Sequence, residues 1–272
     1  MARGINSFIL VGAMVREPEL RYTPNGAAVL SFTVAGDSTI TDSTGEVCNV
    51  AWYHRAEYIS KDAETLVNSL KAGTGVLLEG KLEYQTWQND RGERRSRVVL
   101  RVSHLEVLRE SHAERLVVDR AGGCRLIESV NRAVISGNLT RNAVLRHTSS
   151  GTPVTSLSVA VGESWKDANG QWHDKTHFLE VVLWGSSAEN AATLQKGAPV
   201  FVLGRLESNS WTDGAGQKRI KLQINAERLE MLERRNFAEN TESAAPVKEV
   251  LVVPPAAAPS RIKRQASARA AA

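Results

Sequence analysis

Cysteine is nearly missing from this chain: Cys48 and Cys124 are the two in 272 residues, and they form no Cys-x-x-Cys pair. A disulfide framework is therefore not expected, and two unpaired thiols suit a reducing compartment. Long apolar runs are missing too. The run from Phe8 to Val15 is too short to cross a bilayer, is interrupted by Gly12, and is followed by no cleavage pattern, so a cytoplasmic protein is expected. Charge of one sign is also scarce. The net charge is +4, from 34 basic and 30 acidic residues, which permits a nucleic-acid partner without identifying one. Any steering field must be local. Enzyme signatures are absent as well, with no Gly-x-x-x-x-Gly-Lys-Ser/Thr phosphate loop, no His-Glu-x-x-His and no nuclease-like carboxylate cluster. His173 and His177 have the spacing of a helical metal pair, but their segment reads as a strand and no third ligand is placed, so structural histidines are expected. The chain reads as noncatalytic, with no cofactor and no metal.

What is present is alternation. Phe178, Glu180, Val182 and Trp184 fall on one side of a strand, and Leu179, Val181 and Leu183 on the other. One side can enter a core while the other displays rings. Arg205, Lys218, Arg219 and Lys221 lie nearby in sequence, and rings beside cations suit a partner with flat bases and a negative backbone.

The chain also repeats itself. A shift of 125 places Asn6 on Asn131, Gly12 on Gly137, Thr23 on Thr148, Gly26 on Gly151 and Val34-Ala35 on Val159-Ala160. Beyond the helix a shift of 124 places Gly73 on Gly197, Gly80 on Gly204, Leu82 on Leu206, Trp87 on Trp211 and Arg95 on Arg219. Such a register marks a tandem duplication. Each copy reads as three strands, a helix and two strands, the order of an OB-fold, a five-stranded Greek-key barrel. The expected fold class is mainly β, with tandem OB-folds. In the first copy the helix has Ala63, Leu66, Val67 and Leu70 on one face, with Ser60 as its cap and Gly73 after it; in the second, Ser186 and Glu189 form a candidate capping box and Gly197 closes the helix. The expected division is 1–110 for the first barrel, 111–128 for a polar connector, 129–235 for the second barrel, and 236–272 for a disordered Ala/Pro-rich tail with a basic end.

The motifs then carry a resemblance. Gly4-Ile-Asn6, Ile9-Leu-Val-Gly12 and Pro18-Glu-Leu-Arg-Tyr-Thr-Pro-Asn-Gly26 closely resemble the opening of bacterial single-stranded-DNA-binding proteins. The second copy is similar to the same family at Glu163-Ser-Trp165, Phe178, Val181-Val-Leu-Trp-Gly185, Lys196-Gly197, Gly204-Arg205-Leu206 and Trp211-Thr-Asp-Gly214. Two copies in one chain resemble the fused variant, which assembles as a homodimer presenting four barrels. The resemblance implies sequence-nonspecific coating of exposed single-stranded DNA in replication, recombination and repair, in the cytoplasm and on the nucleoid.

It also implies four base-stacking positions per barrel. The second copy supplies Trp165, Phe178, Trp184 and Trp211. In the first, Tyr53 and Trp87 stand in two of the places, while Ile40 and Ile59 fill those of Trp165 and Trp184. Unequal barrels are expected, the second dominant. A shifted register would give the role of Tyr53 to Trp52, and Trp172, outside the first rank, reads as packing across its hairpin. Phosphate contacts are expected from Arg205, Lys218, Arg219 and Lys221, and from Lys81, Arg94, Arg95 and Arg97 in the first copy, with Arg3 and Arg55 as weaker candidates. The family's acidic C-terminal tip, through which it recruits replication and repair proteins, has no counterpart in Gln265-Ala-Ser-Ala-Arg-Ala-Ala-Ala272. The sequence is also compatible with two other readings: an interaction scaffold with little DNA binding, and a nucleic-acid-processing enzyme.

Overall fold

The computed structural model describes residues 4–41, 45–89, 92–109, 113–167, 169–212, 216 and 218–232, with the side chains of Ala113, Lys218 and Arg219 outside that description. The candidate Arg3 and the tail 236–272 also lie outside it. Among the described residues the chain forms strands β1 (Asn6–Met14), β2 (Glu19–Tyr22), β3 (Ala28–Thr41) and β4 (Val47–Ile59), helix α1 (Ala63–Leu66), then β5 (Gly75–Gln88) and β6 (Arg94–Val107). A short hairpin, β7 (Leu116–Val118) and β8 (Cys124–Leu126), leads to β9 (Val130–Leu139), β10 (Val144–His147), β11 (Pro153–Lys166), β12 (Trp172–Trp184), helix α2 (Gly185–Ala191), β13 (Pro199–Thr212) and β14 (Lys218–Met231).

Two closed five-stranded barrels result. In the first, β1 pairs with β3 and β5, β3 with β4, β5 with β6, and a short parallel contact between β4 and β6 at Ala56↔Leu100 completes the ring. In the second, β9 pairs with β11 and β13, β11 with β12, β13 with β14, and β12 meets β14 in parallel at Val181↔Ile224. These are the tandem OB-folds expected from the element order. Alternation fills each interior: Leu157, Val159 and Val161 of β11 are buried, as are Leu179, Val181 and Leu183 of β12. Each such side chain contributes roughly 1.5–3 kcal/mol by leaving water.

The barrels adjoin through β1 and β9, antiparallel from Asn6↔Ile135 to Val11↔Val130. The repeated asparagine has a defined task at this seam. Pairing of β5 with β1 ends at Gly80, where β5 also slips register against β6, so the backbone of Leu82 has no strand partner on the β1 side. The Asn6 amide replaces it: its Nδ2 donates to Leu82 O at 2.9 Å, and its Oδ1 accepts from Leu82 N at 3.0 Å. Asn131 does the same for Leu206, at 3.0 and 2.8 Å. Gly80 and Gly204 sit at the two slips, where a Cβ would meet Arg101 O at 2.1 Å and Asn225 O at 2.2 Å, so any side chain displaces the neighbouring strand.

The helix ends differ from expectation. The N-cap of α1 is Asp62, not Ser60, and α2 starts from Trp184 as N-cap, with Ser186 and Glu189 inside the helix; neither cap makes a side-chain hydrogen bond. Burial anchors these short helices instead, through Ala63, Ala188 and Ala191, and Thr155 Oγ1 donates to Ala188 O at 2.8 Å. Gly73 and Gly197 lie beyond the helices, both at positive φ, where their N–H groups donate to Met14 O and Leu139 O. The 111–128 stretch, expected as a plain connector, carries the β7–β8 hairpin, and β8 pairs with β3 at Gly36↔Leu126 with Leu126 fully buried.

Candidate nucleic-acid interface

The outer positions of β12 are Phe178 and Trp184, respectively 44% and 43% exposed, and Leu179, Val181 and Leu183 face inward. An aromatic surface this open is not core. Trp211 ends β13 opposite Arg219 and is 48% exposed, while Trp87 ends β5 opposite Arg95 and is 45% exposed, so the two copies hold the same ring at the same hairpin. Trp165 lies at the far end of β11, 41% exposed and stacked on His173 at 5.6 Å between ring centroids.

Phe178 and Trp211 line one groove of about 910 Å³ whose walls come from both barrels. The first barrel contributes Arg55, Arg94, Arg95 and Arg97, and the second Arg141 and Lys221. Against these six basic side chains stand two carboxylates, Glu57 and Glu180, so the groove is net positive although the chain as a whole is nearly balanced. Tyr84 of β5 also lines it, its ring meeting Phe178 edge-on with centroids 5.4 Å apart. Sequence reasoning missed Tyr84 and Arg141, and ranked Arg55 low. Tyr84 shares the parity of the core residues Leu78 and Leu82, and nothing local to it tells that the barrel has ended before residue 84.

The remaining candidates separate. Arg97 spans Glu57 at 3.3 Å and the Trp87 ring at 5.7 Å, Arg95 pairs with Glu93 at 2.5 Å, and Arg94 is exposed on the groove wall. Lys221 pairs with Glu180, and burial, then Arg141 nearby, lowers its pKa. Arg205 lies 4.0 Å from Glu227, outside the groove lining. Lys81 is engaged across the barrel junction by Glu163, away from Trp87. Lys218 and Arg219 have described backbones only.

The first barrel's own face is altered. The Tyr53 hydroxyl donates to Asp119 Oδ2 at 2.9 Å, Arg125 pairs with Asp37 at 2.8 Å, and the connector hairpin thereby lies against the position matching Phe178. Burial, and next the Asp119 contact, raise the Tyr53 pKa. Trp52 does not replace it; the indole is buried and stacked on His54 at 5.3 Å. Ile59, in the place of Trp184, is 40% exposed and offers no ring.

The two spaced histidines also have partners. His173 Nε2 lies 2.9 Å from Asp167 Oδ2; His177 is fully buried between the Tyr84 N–H and Glu163. Among the described residues no group of three or more His, Cys, Asp or Glu is placed to hold a metal, and no helix is long and apolar enough to cross a membrane.

Paired closed barrels, exposed rings on the third strand and outer hairpins, and a basic groove between them define a tandem OB-fold protein with an oligonucleotide-binding type of surface. The chain belongs to the single-strand binding protein family, whose model matches residues 5–108 and 130–232. It is 41% identical over 246 residues to the single-stranded DNA-binding protein of Deinococcus radiodurans, covering 90% of this chain and 81% of the relative. It is 41% identical over 230 residues to that of Thermus thermophilus, covering 85% of each. The crystal structure of the wild-type single-stranded DNA-binding protein from Thermus aquaticus superposes with a TM-score of 0.67 at 34% identity, covering 86% of this chain and 95% of that one.

Proposed function

We infer that this protein binds single-stranded DNA with little sequence preference and covers exposed strands during replication, recombination and repair. The observation that carries this reading is the pairing of Phe178 and Trp211 with an arginine wall from the other barrel across one groove. Every base has a face that stacks on a ring, and every nucleotide has a phosphate that pairs with a guanidinium. Family membership points the same way. The action is stoichiometric binding, not catalysis. Trp165, Phe178, Trp184 and Trp211 form the main stacking set and Trp87 a lesser one, with Arg94, Arg95, Arg97, Arg205, Lys218, Arg219 and Lys221 serving phosphates.

The acting unit is a homodimer of four barrels in the cytoplasm. Ile5, Ile9 and Val130, exposed on and beside the β1–β9 seam, support a second copy covering that side. We divide the chain into a first barrel to residue 110, a connector to 128, a second barrel to 235 and a tail beyond. Titration of the full chain with oligothymidylate tests the function: stacking quenches tryptophan emission, and duplex DNA of the same length competes poorly. An unchanged spectrum, with no binding by filter retention, would favour the scaffold reading, which the engagement of the Tyr53 hydroxyl by Asp119 supports.

A further inference from the structure

The strand that carries Phe178 and Trp184 carries a third ring on the same side. Trp172, Phe178 and Trp184 are six residues apart in turn along β12, and positions of equal parity in a strand point the same way. Their cross-strand partners on β11 are Lys166, Ala160 and Val154, again of one parity, so the register is unbroken from the barrel wall to the hairpin tip. At about 3.3 Å per residue the rings stand roughly 20 Å apart. Trp165 differs: it pairs with His173 and shares the parity of the interior residues Val159 and Val161. The two indoles of this arm therefore face opposite ways, and the one aligned with Phe178 is Trp172.

The arm is held firmly enough to present a ring. Asp167 Oδ1 accepts from the N–H groups of Asn169 and Gln171, each at 2.9 Å, and its Oδ2 holds His173; Gly170, at φ +80°, closes the turn. Ser164 bonds to Asp174 across the strands. Trp172 is 57% exposed, more than any of the four rings of the main set, and the Lys166 ammonium lies 5.2 Å from its ring centroid. An open indole with a cation beside it combines a surface for a base with a partner for its phosphate.

We propose that Trp172, assisted by Lys166, is a further nucleotide-stacking position that extends the track of Phe178 and Trp184 along the β11–β12 arm. This rests on the single-stranded DNA reading above. The competing assignment is a ring that merely packs on its own lysine across the hairpin.

The test measures oligothymidylate affinity, fluorescence quenching and thermal stability of the full-length Trp172→Ala, Trp172→Phe, Lys166→Ala and Phe178→Ala variants. Stacking predicts that Trp172→Ala weakens binding about 5- to 150-fold on oligonucleotides long enough to span the arm. Trp172→Phe should restore most of the loss, and Lys166→Ala should lower the salt slope by about 0.7. The proposal is overturned if Trp172→Ala binds like the unaltered protein while Phe178→Ala does not, or if its loss tracks a fall in melting temperature that Trp172→Phe shares. Failure of the unaltered protein to bind oligothymidylate at all overturns the functional reading itself.

Discussion

His177 of the second barrel accepts, through Nδ1, the backbone N–H of Tyr84 in the first barrel at 3.0 Å. The first barrel answers with His54, whose Nδ1 lies 2.9 Å from Ser208 Oγ and whose Nε2 lies 3.1 Å from Leu206 O, both on β13. Each barrel thus sends a buried histidine from its third strand to the fourth strand of the other. The aromatic groove lies along this junction, and Tyr84 is common to both.

His54 gives the junction an acid sensitivity. Burial lowers its pKa from 6.5 to about 4, against a smaller opposing effect of Leu206 O. Between those values the unfolded chain binds a proton that the folded one refuses, so stability is full above pH 6.5 and falls as pH drops toward 4, by on the order of 3 kcal/mol. Urea denaturation at pH 7, 6, 5 and 4 should show this slope, and His54→Gln should flatten it. Parallel profiles for the two proteins would remove His54 from the account.

Glu83 acts lower on the pH scale. Burial pushes its pKa up, but Lys175 at 2.5 Å and Arg101 at 2.8 Å outweigh it and hold the carboxyl at about 2. A depressed carboxylate stabilises above its ordinary value near 4.5, and that stabilisation fades as pH falls toward 2. Glu83→Gln at neutral pH should cost about 1–3 kcal/mol in thermal or urea unfolding, because it removes the carboxylate of Lys175 and leaves Arg101 with Glu57 alone at the barrel junction. The gap between the variant and the unaltered protein should narrow from pH 4.5 downward and close near pH 2; a constant gap over that range would assign the loss to packing.

Much of the fold was legible because it is periodic. Alternation marks the interior of β12, and the doubled asparagines and glycines mark the repeat. The reasons were not legible: Asn6 and Asn131 recur because pairing with β1 and β9 ends at Gly80 and Gly204, leaving Leu82 and Leu206 without a backbone partner on that side. Parity persists past the barrel rim but no longer reports burial in the same core: Tyr84 keeps the phase of Leu78 and Leu82 yet faces the other barrel. Lys81 looked like a phosphate contact beside Trp87, but its partner, Glu163, is 82 residues away. The connector's polar composition likewise concealed the one buried leucine, Leu126, that docks it beside Tyr53.

Single ring removals should rank the surface. Phe178→Ala and Trp211→Ala should each cost about 1–3 kcal/mol of binding to oligothymidylate. Trp87→Ala should cost less, since its barrel offers Ile59 where the other offers Trp184 and holds Tyr53 against Asp119. Asp119→Ala releases that hydroxyl and should strengthen binding modestly. Equal losses for Trp87→Ala and Trp211→Ala would contradict the unequal barrels.

The arginine wall is tested by salt. If bases stack on Phe178 and Trp211 while phosphates face Arg94, Arg95 and Arg97 of the first barrel, one strand is gripped by both barrels at once. The triple Arg94→Ala, Arg95→Ala, Arg97→Ala protein should then lower the slope of log affinity against log salt by up to about 2, at roughly 0.7 per phosphate contact. Glu57 also bonds Arg101, so loss of Arg97 leaves that carboxylate paired and the fold intact, which a melting curve checks. Quenching from Trp211 should persist at saturating DNA, because stacking does not need the guanidinium groups. A triple variant with an unchanged slope would mean that the strand avoids the shared groove and that each barrel binds on its own.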